Sequence, residues 1–186
     1  MDKKAEKLRD GIFDLHTRRF GKVAELMIKY YDALGDPKNK FHDLYDHDQD
    51  VKIEVKFSRA QKSHNEAVNE DNIIKSIENA SIEERMFKSK EWKKYSFDCN
   101  IQQVKPSEFD ILYYGIFFED KVMVFKIDPS DLDKAIQYSN KQHKGNVGEG
   151  QFHLNQSTYA RHLENFFETE FTYGELYELF SSMELE

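Results

Sequence analysis

Residues 41–58 read Phe-His-Asp-Leu-Tyr-Asp-His-Asp-Gln-Asp-Val-Lys-Ile-Glu-Val-Lys-Phe-Ser. Val51, Ile53, Val55 and Phe57 alternate with Lys52, Glu54, Lys56 and Ser58, the period of a strand with one apolar and one ionisable face. Phe41 to Asp46 forms a second short run before the polar stretch His47 to Asp50, so the two runs are expected to pair as a β-hairpin. With His47 to Asp50 as the connection, Asp46 lies opposite Val51, Leu44 opposite Ile53, and Asp43 opposite Glu54. Leu44 then joins the apolar face, as hydrophobic register selection demands.

That register sets two carboxylates across from one another on one face, where like charges repel unless a cation compensates. Mg²⁺ takes one or two carboxylates together with water and phosphate oxygens, and Asp43 with Glu54 supplies such a partial shell. Lys56 projects from the same face and could stabilise charge growing on a phosphate. Alternation alone is met more readily by the wet face of an exposed hairpin with cross-strand ion pairs, since solvated antiparallel faces are common.

The order of elements widens the picture. From Asp14 to about Leu34, Phe20, Val23, Ala24, Met27, Tyr30 and Tyr31 recur at helical spacing, and Gly35-Asp36-Pro37 ends the segment. A helix is predicted over Asn72 to about Phe87. Phe109 to Phe118 and Val122 to Ile127 read as a second hairpin turning at Glu119-Asp120-Lys121, apolar on both faces and therefore central. Asp128-Pro129 offers an N-cap and first-turn proline for a helix to about Ser139. Gly145, Gly148 and Gly150 punctuate a loop, and two helices are expected within Gln156 to Phe171 and Tyr173 to Met183. The expected class is α/β: one domain over residues 1–186, a central mixed sheet flanked by helices, and a helical C-terminal tail.

Asp43-Leu44-Tyr45-Asp46 followed by Ile53-Glu54-Val55-Lys56-Phe57-Ser58 resembles the D…(D/E)-x-K signature of the PD-(D/E)XK restriction endonuclease superfamily, including the apolar residue between the last acid and the lysine. His42 stands where the motif's name places proline. The resemblance implies a restriction-endonuclease-like core, Mg²⁺ as cofactor, Asp43 and Glu54 as metal ligands, and Lys56 as the third catalytic group. In length and running order the chain also resembles small subunits of heterodimeric type IIS restriction endonucleases. That resemblance implies a large nicking-endonuclease subunit as partner, and duplex DNA met through the assembled heterodimer.

Further residues are candidates. The superfamily often places an extra acid on the first helix, which here is Glu25, although helical geometry puts it nearly opposite Phe20, Val23, Met27 and Tyr31. Gln102, Gln103 and Lys105 resemble polar residues that approach the DNA after the catalytic hairpin, and a polar strand edge is the ordinary alternative. Glu66 follows Lys56 in a polar loop. Asp46, Asp48 and Asp50 lack the glycine and the bidentate glutamate of a calcium loop and read as turn residues. His143, His153 and His162 have no acidic or cysteine partner at zinc spacing. Lys141, Lys144 and Arg161 read as solvated charges. Phe166, Phe167, Phe171, Tyr173, Tyr177 and Phe180 suit either a core or a subunit interface.

Composition constrains these readings. The 186 residues suffice for one real core, and 15 Phe with 10 Tyr make its interior bulky. The net charge of -8 argues against unaided DNA affinity, which comes from cations neutralising phosphates. The isolated chain is therefore expected to bind and cut little, unlike an independent structure-specific nuclease. A non-catalytic partner that keeps a nuclease fold is the other alternative. The lone Cys99 implies a reducing compartment, and with neither an apolar leader nor a spanning run the expected location is the cytoplasm, with no membrane partner.

Overall fold

The computed structural model describes residues 2–63, 67–78, 80–132, 138–141 and 147–183. Two antiparallel hairpins, β1 (Leu44–Asp46) with β2 (Val51–Arg59) and β4 (Ile111–Phe117) with β5 (Lys121–Ile127), join into one sheet through the parallel pairing of β2 with β4. With β8 (Phe167–Thr172) on the far edge, the order is β1-β2-β4-β5-β8. A three-stranded sheet, β3-β7-β6, is formed by β3 (Asp98–Val104), β7 (Val147–Asn155) and β6 (Ser139–Lys141). The mixed sheet flanked by helices is thus present.

Register dictates the layers. Ile53, Val55 and Phe57 pair with Ile111, Tyr113 and Gly115, and this face packs under α1 (Lys3–Asp14), α2 (Thr17–Tyr31) and the C-terminal α6 (Tyr173–Met183). Glu54, Lys56 and Ser58 pair with Leu112, Tyr114 and Ile116, and those three apolar residues share a core with Cys99 and Ile101 of β3, Phe152 and Leu154 of β7, and Tyr159 of α5 (Tyr159–Phe166). The ionisable face of β2 therefore looks toward the second sheet. β4 and β5 are buried on both faces because each has a layer on either side.

Several expectations are corrected. The helix expected from Asp14 to about Leu34 is α2, while α1 before it was not expected, and the two are separated by a break where Leu15 turns extended. Arg59 makes this break possible, since its guanidinium donates to the carbonyls of Phe13 (2.5 Å) and Leu15 (2.8 Å) while stacking 4.6 Å over Phe20. Arg59→Met keeps the apolar stem and strands those acceptors. It should cost about 2 kcal/mol and lower Tm by roughly 4–8 °C in a melt followed by circular dichroism. An unchanged Tm would remove this role.

The helix expected over Asn72 to Phe87 is two short ones, α3 (Ile73–Glu78) and α4 (Ile82–Arg85). Ile73, Ile74 and Ile77 find no surface to bury against, Ser81 caps a fresh start, Met86 turns extended, and Met86 and Phe87 are buried. The glycine segment enters β7 at Gly148 and Gly150 instead of a loop, while Gly145 lies outside the described residues. Gly150 admits no side chain because the Tyr138 ring occupies the space a Cβ would take. The helix expected within Gln156 to Phe171 ends at Phe166, and the chain continues as β8, drawn out by pairing with the edge of β5. Asp128 does cap a turn, its carboxylate accepting from the Ser130 N–H at 2.8 Å, but only a 3₁₀ turn (Pro129–Asp131) is described and Ser139 is already in β6. Residues 133–137 of that expected helix lie outside the described residues. Among the described residues no helix is long and apolar enough to cross a membrane.

Candidate active site

The hairpin register is the one the hydrophobic match requires: Leu44 pairs with Ile53, Tyr45 with Lys52, and Asp46 with Val51. Asp46 and Asp50 shape the turn, Asp46 accepting from the N–H groups of Asp48 (2.9 Å) and Gln49 (3.0 Å), and Asp50 adopting a left-handed φ of 60°. Asp43, one residue before β1, is fixed beside Glu54 from two sides. Its N–H donates to the Ile53 carbonyl at 3.0 Å, and its Oδ2 accepts from the Val55 N–H at 3.0 Å.

The carboxylates of Asp43 and Glu54 converge on one ammonium. Lys56 Nζ lies 3.5 Å from Asp43 Oδ2 and in direct contact with Glu54 Oε1. Glu54 is only 9% exposed, and burial pushes its pKa up to about 7. The Lys56 charge opposes that rise, while the charges of Asp43 and Glu108 add to it. Burial works against the Lys56 charge, but the attraction of Glu54 and Asp43 outweighs it and holds the lysine pKa above its ordinary value. A wet hairpin face does not behave this way, because water would screen these charges.

The three side chains open into a cleft of about 210 Å³ lined also by Lys40, Phe41, Gln103, Lys105, Glu108 and Glu149. Gln103 reaches this wall because a bulge between Gln102 and Val104 puts it in a left-handed conformation, φ 59°. Lys105 lies 3.6 Å from Glu108 and 3.8 Å from Glu149, tying β7 to the chain after β3. Among the described residues of the lining, Lys40, Lys56 and Lys105 face Asp43, Glu54, Glu108 and Glu149, formally one negative charge in excess when all four carboxyls are ionised.

Of the sequence candidates, Asp43, Glu54, Lys56, Gln103 and Lys105 share this cleft. Gln102 is exposed in β3 and is not part of its wall. Glu25 is not part of it either, and its carboxylate is paired with Lys22 at 2.7 Å on α2. Glu66, His143 and Lys144 lie outside the described residues. His42 is buried beside Tyr45, both ring nitrogens lacking a hydrogen-bond partner, and burial lowers its pKa. His162 is buried against Tyr114 (2.9 Å), and burial pushes its pKa down to about 4. His153 pairs with Asp98 at 2.8 Å. Cys99 is fully buried, its thiol pushed up to about 12 by desolvation. Lys141 and Arg161 are exposed. Among the described residues no group of three or more His, Cys, Asp and Glu is placed to hold a metal ion.

Sequence reasoning missed Lys40, Phe41, Glu108 and Glu149. Lys40 and Phe41 were within reach of it, since they lie three and two residues before Asp43. Glu149 was not, because only the β3-β7 pairing brings it over β2. No protein-family model matches the chain, and no curated protein or solved structure matches it.

Proposed function

We propose that this chain is the catalytic small subunit of a heterodimeric type IIS restriction endonuclease with a PD-(D/E)XK core. In this reading it hydrolyses one strand of duplex DNA with Mg²⁺, outside a sequence read by a larger nicking subunit. The supporting observation is the convergence of Asp43 and Glu54 on Lys56 within one cleft. A helix preceding the hairpin and a five-stranded mixed sheet agree with that core.

Mg²⁺ fits the donor set. Once Glu54 is ionised the described lining carries one excess negative charge and a phosphodiester brings another, a combination that a divalent cation compensates. Asp43 and Glu54 would hold the ion, Glu54 losing the proton that burial favours. The ion, when bound, supplies charge neutralisation and a lowered water pKa. Lys56 keeps its proton and is the donor available to a phosphate oxygen as charge grows there. Gln103 and Lys105 line the same cleft from β3 and the residue that follows it, where they can orient the strand.

Sequence reading is left to a partner, because the chain's charge of -8 disfavours DNA binding by itself. Mixing the chain with a nicking subunit and Mg²⁺ should convert nicks in a duplex into double-strand breaks. Persistence of nicks alone would reject the catalytic role. Comparable cutting by the isolated chain would instead favour an independent nuclease.

A further inference from the structure

Among the nine described residues lining the cleft Phe41 is the only apolar one, and it is 52% exposed. Single exposed apolar side chains are ordinary, but this one stands in the wall that holds Asp43, Glu54 and Lys56. The backbone holds it out: the Phe41 N–H donates to Asn39 Oδ1 at 2.9 Å in a local turn. Lys40 Nζ lies 5.7 Å from the centre of the ring, bringing positive charge beside an aromatic face. Asp43 is two residues further on, past the bend at His42, and lines the same cleft.

We infer that Phe41 is a stacking platform for one nucleobase flanking the phosphate held at Asp43, Glu54 and Lys56, with Lys40 facing the neighbouring phosphate. The inference rests on the hydrolytic reading of the cleft and narrows its substrate. A base inside a duplex stack cannot offer a face to a protein ring, so the strand enters with at least one base unpaired beside the scissile bond. Aromatic stacking tolerates any base, which suits a cutting centre that leaves sequence to another subunit.

The test uses the full chain, low salt, Ca²⁺ in place of Mg²⁺, and short single-stranded oligonucleotides carrying 2-aminopurine at successive positions. Wild-type protein should quench the probe at one position, Phe41→Leu should not, and Phe41→Tyr should restore the effect. In the assembled enzyme Phe41→Leu should lower kcat/KM roughly ten- to hundredfold, with recovery in Phe41→Tyr. Equal quenching by Phe41→Leu, or binding of the oligonucleotide by the wild-type chain, read by fluorescence anisotropy, without quenching at any position, overturns the platform. So does a Leu variant whose defect is failure to pair with the large subunit, which would make Phe41 a protein contact. Stacking without any cleavage would sink only the hydrolytic reading, and cleavage indifferent to Phe41 would sink only the platform.

Discussion

Glu54→Gln should lower cleavage of one strand by the assembled enzyme on the order of 10³-fold and, at pH 8, make the isolated chain more stable by about 3 kcal/mol. Both effects come from one buried carboxyl whose pKa in the folded chain is about 7, against 4.5 for an unperturbed glutamate. Between those values the folded chain holds a proton that the unfolded chain has released, so stability falls as pH rises through this window. The penalty is complete above pH 7, and Gln removes it. Urea midpoints of the two proteins should coincide near pH 4 and separate by pH 8. No gain at pH 8 would mean that Lys56 already compensates Glu54 fully.

His162 has the opposite sign. Its pKa is pushed down to about 4, so it adds stability as pH rises from about 4 to 6.5 and partly masks Glu54 in the wild-type curve. Only the difference between wild type and Glu54→Gln isolates the carboxyl. Millimolar Mg²⁺ should raise the wild-type midpoint at pH 8 and leave that of Glu54→Gln almost unmoved. Asp43→Asn, which retains an acceptor for the Val55 N–H, should lose cleavage equally without unfolding. Double-strand cutting that survives in either variant would refute the assigned chemistry and favour a non-catalytic partner.

Gly115→Ala carries the largest expected loss of stability. A Cβ there would lie 2.2 Å from the Met123 carbonyl oxygen and 2.3 Å from Cε1 of Phe57. The ring can swing, but the carbonyl is fixed in the β4-β5 ladder at the centre of the sheet. Overpacking of this kind costs about 3 kcal/mol, and a fixed backbone obstacle places it at the upper end. Adding Phe57→Leu should recover only part of it, because one of the two obstacles remains. A midpoint shift worth less than about 1 kcal/mol would show that the strands can spread at this point. Phe57 adjoins Lys56, so spreading would also move the lysine relative to Tyr114.

What was legible in the sequence was local. The β1-β2 register followed from matching Leu44 to Ile53, and the β4-β5 hairpin from its doubly apolar runs. Asp43, Glu54 and Lys56 were placed on one face by strand period alone. The parallel β2-β4 pairing was not legible, because nothing in either strand names a partner so far along the chain. β8 was hidden for a related reason: Phe167, Thr169 and Phe171 alternate, but they follow an amphipathic helix whose period runs into them. The long helix over Asn72 to Phe87 failed because isoleucines at helical spacing signal burial only if a surface is there to receive them. Gln103 entered the cleft through a bulge, a backbone detail that Asn100 to Val104 does not announce.

The parallel pairing of β2 with β4 also sets an order of assembly. The hairpin that carries the acids closes over four residues and can form within microseconds of collapse. Its roof is β3, which is laid down between β2 and β4 and is itself held by β7, some fifty residues later, in pairs such as Cys99 with Leu154. Such distant closures are slow. A refolding chain should therefore regain hairpin signal well before it can desolvate Glu54, and the ability to ionise that carboxyl near neutrality should return in the last kinetic phase.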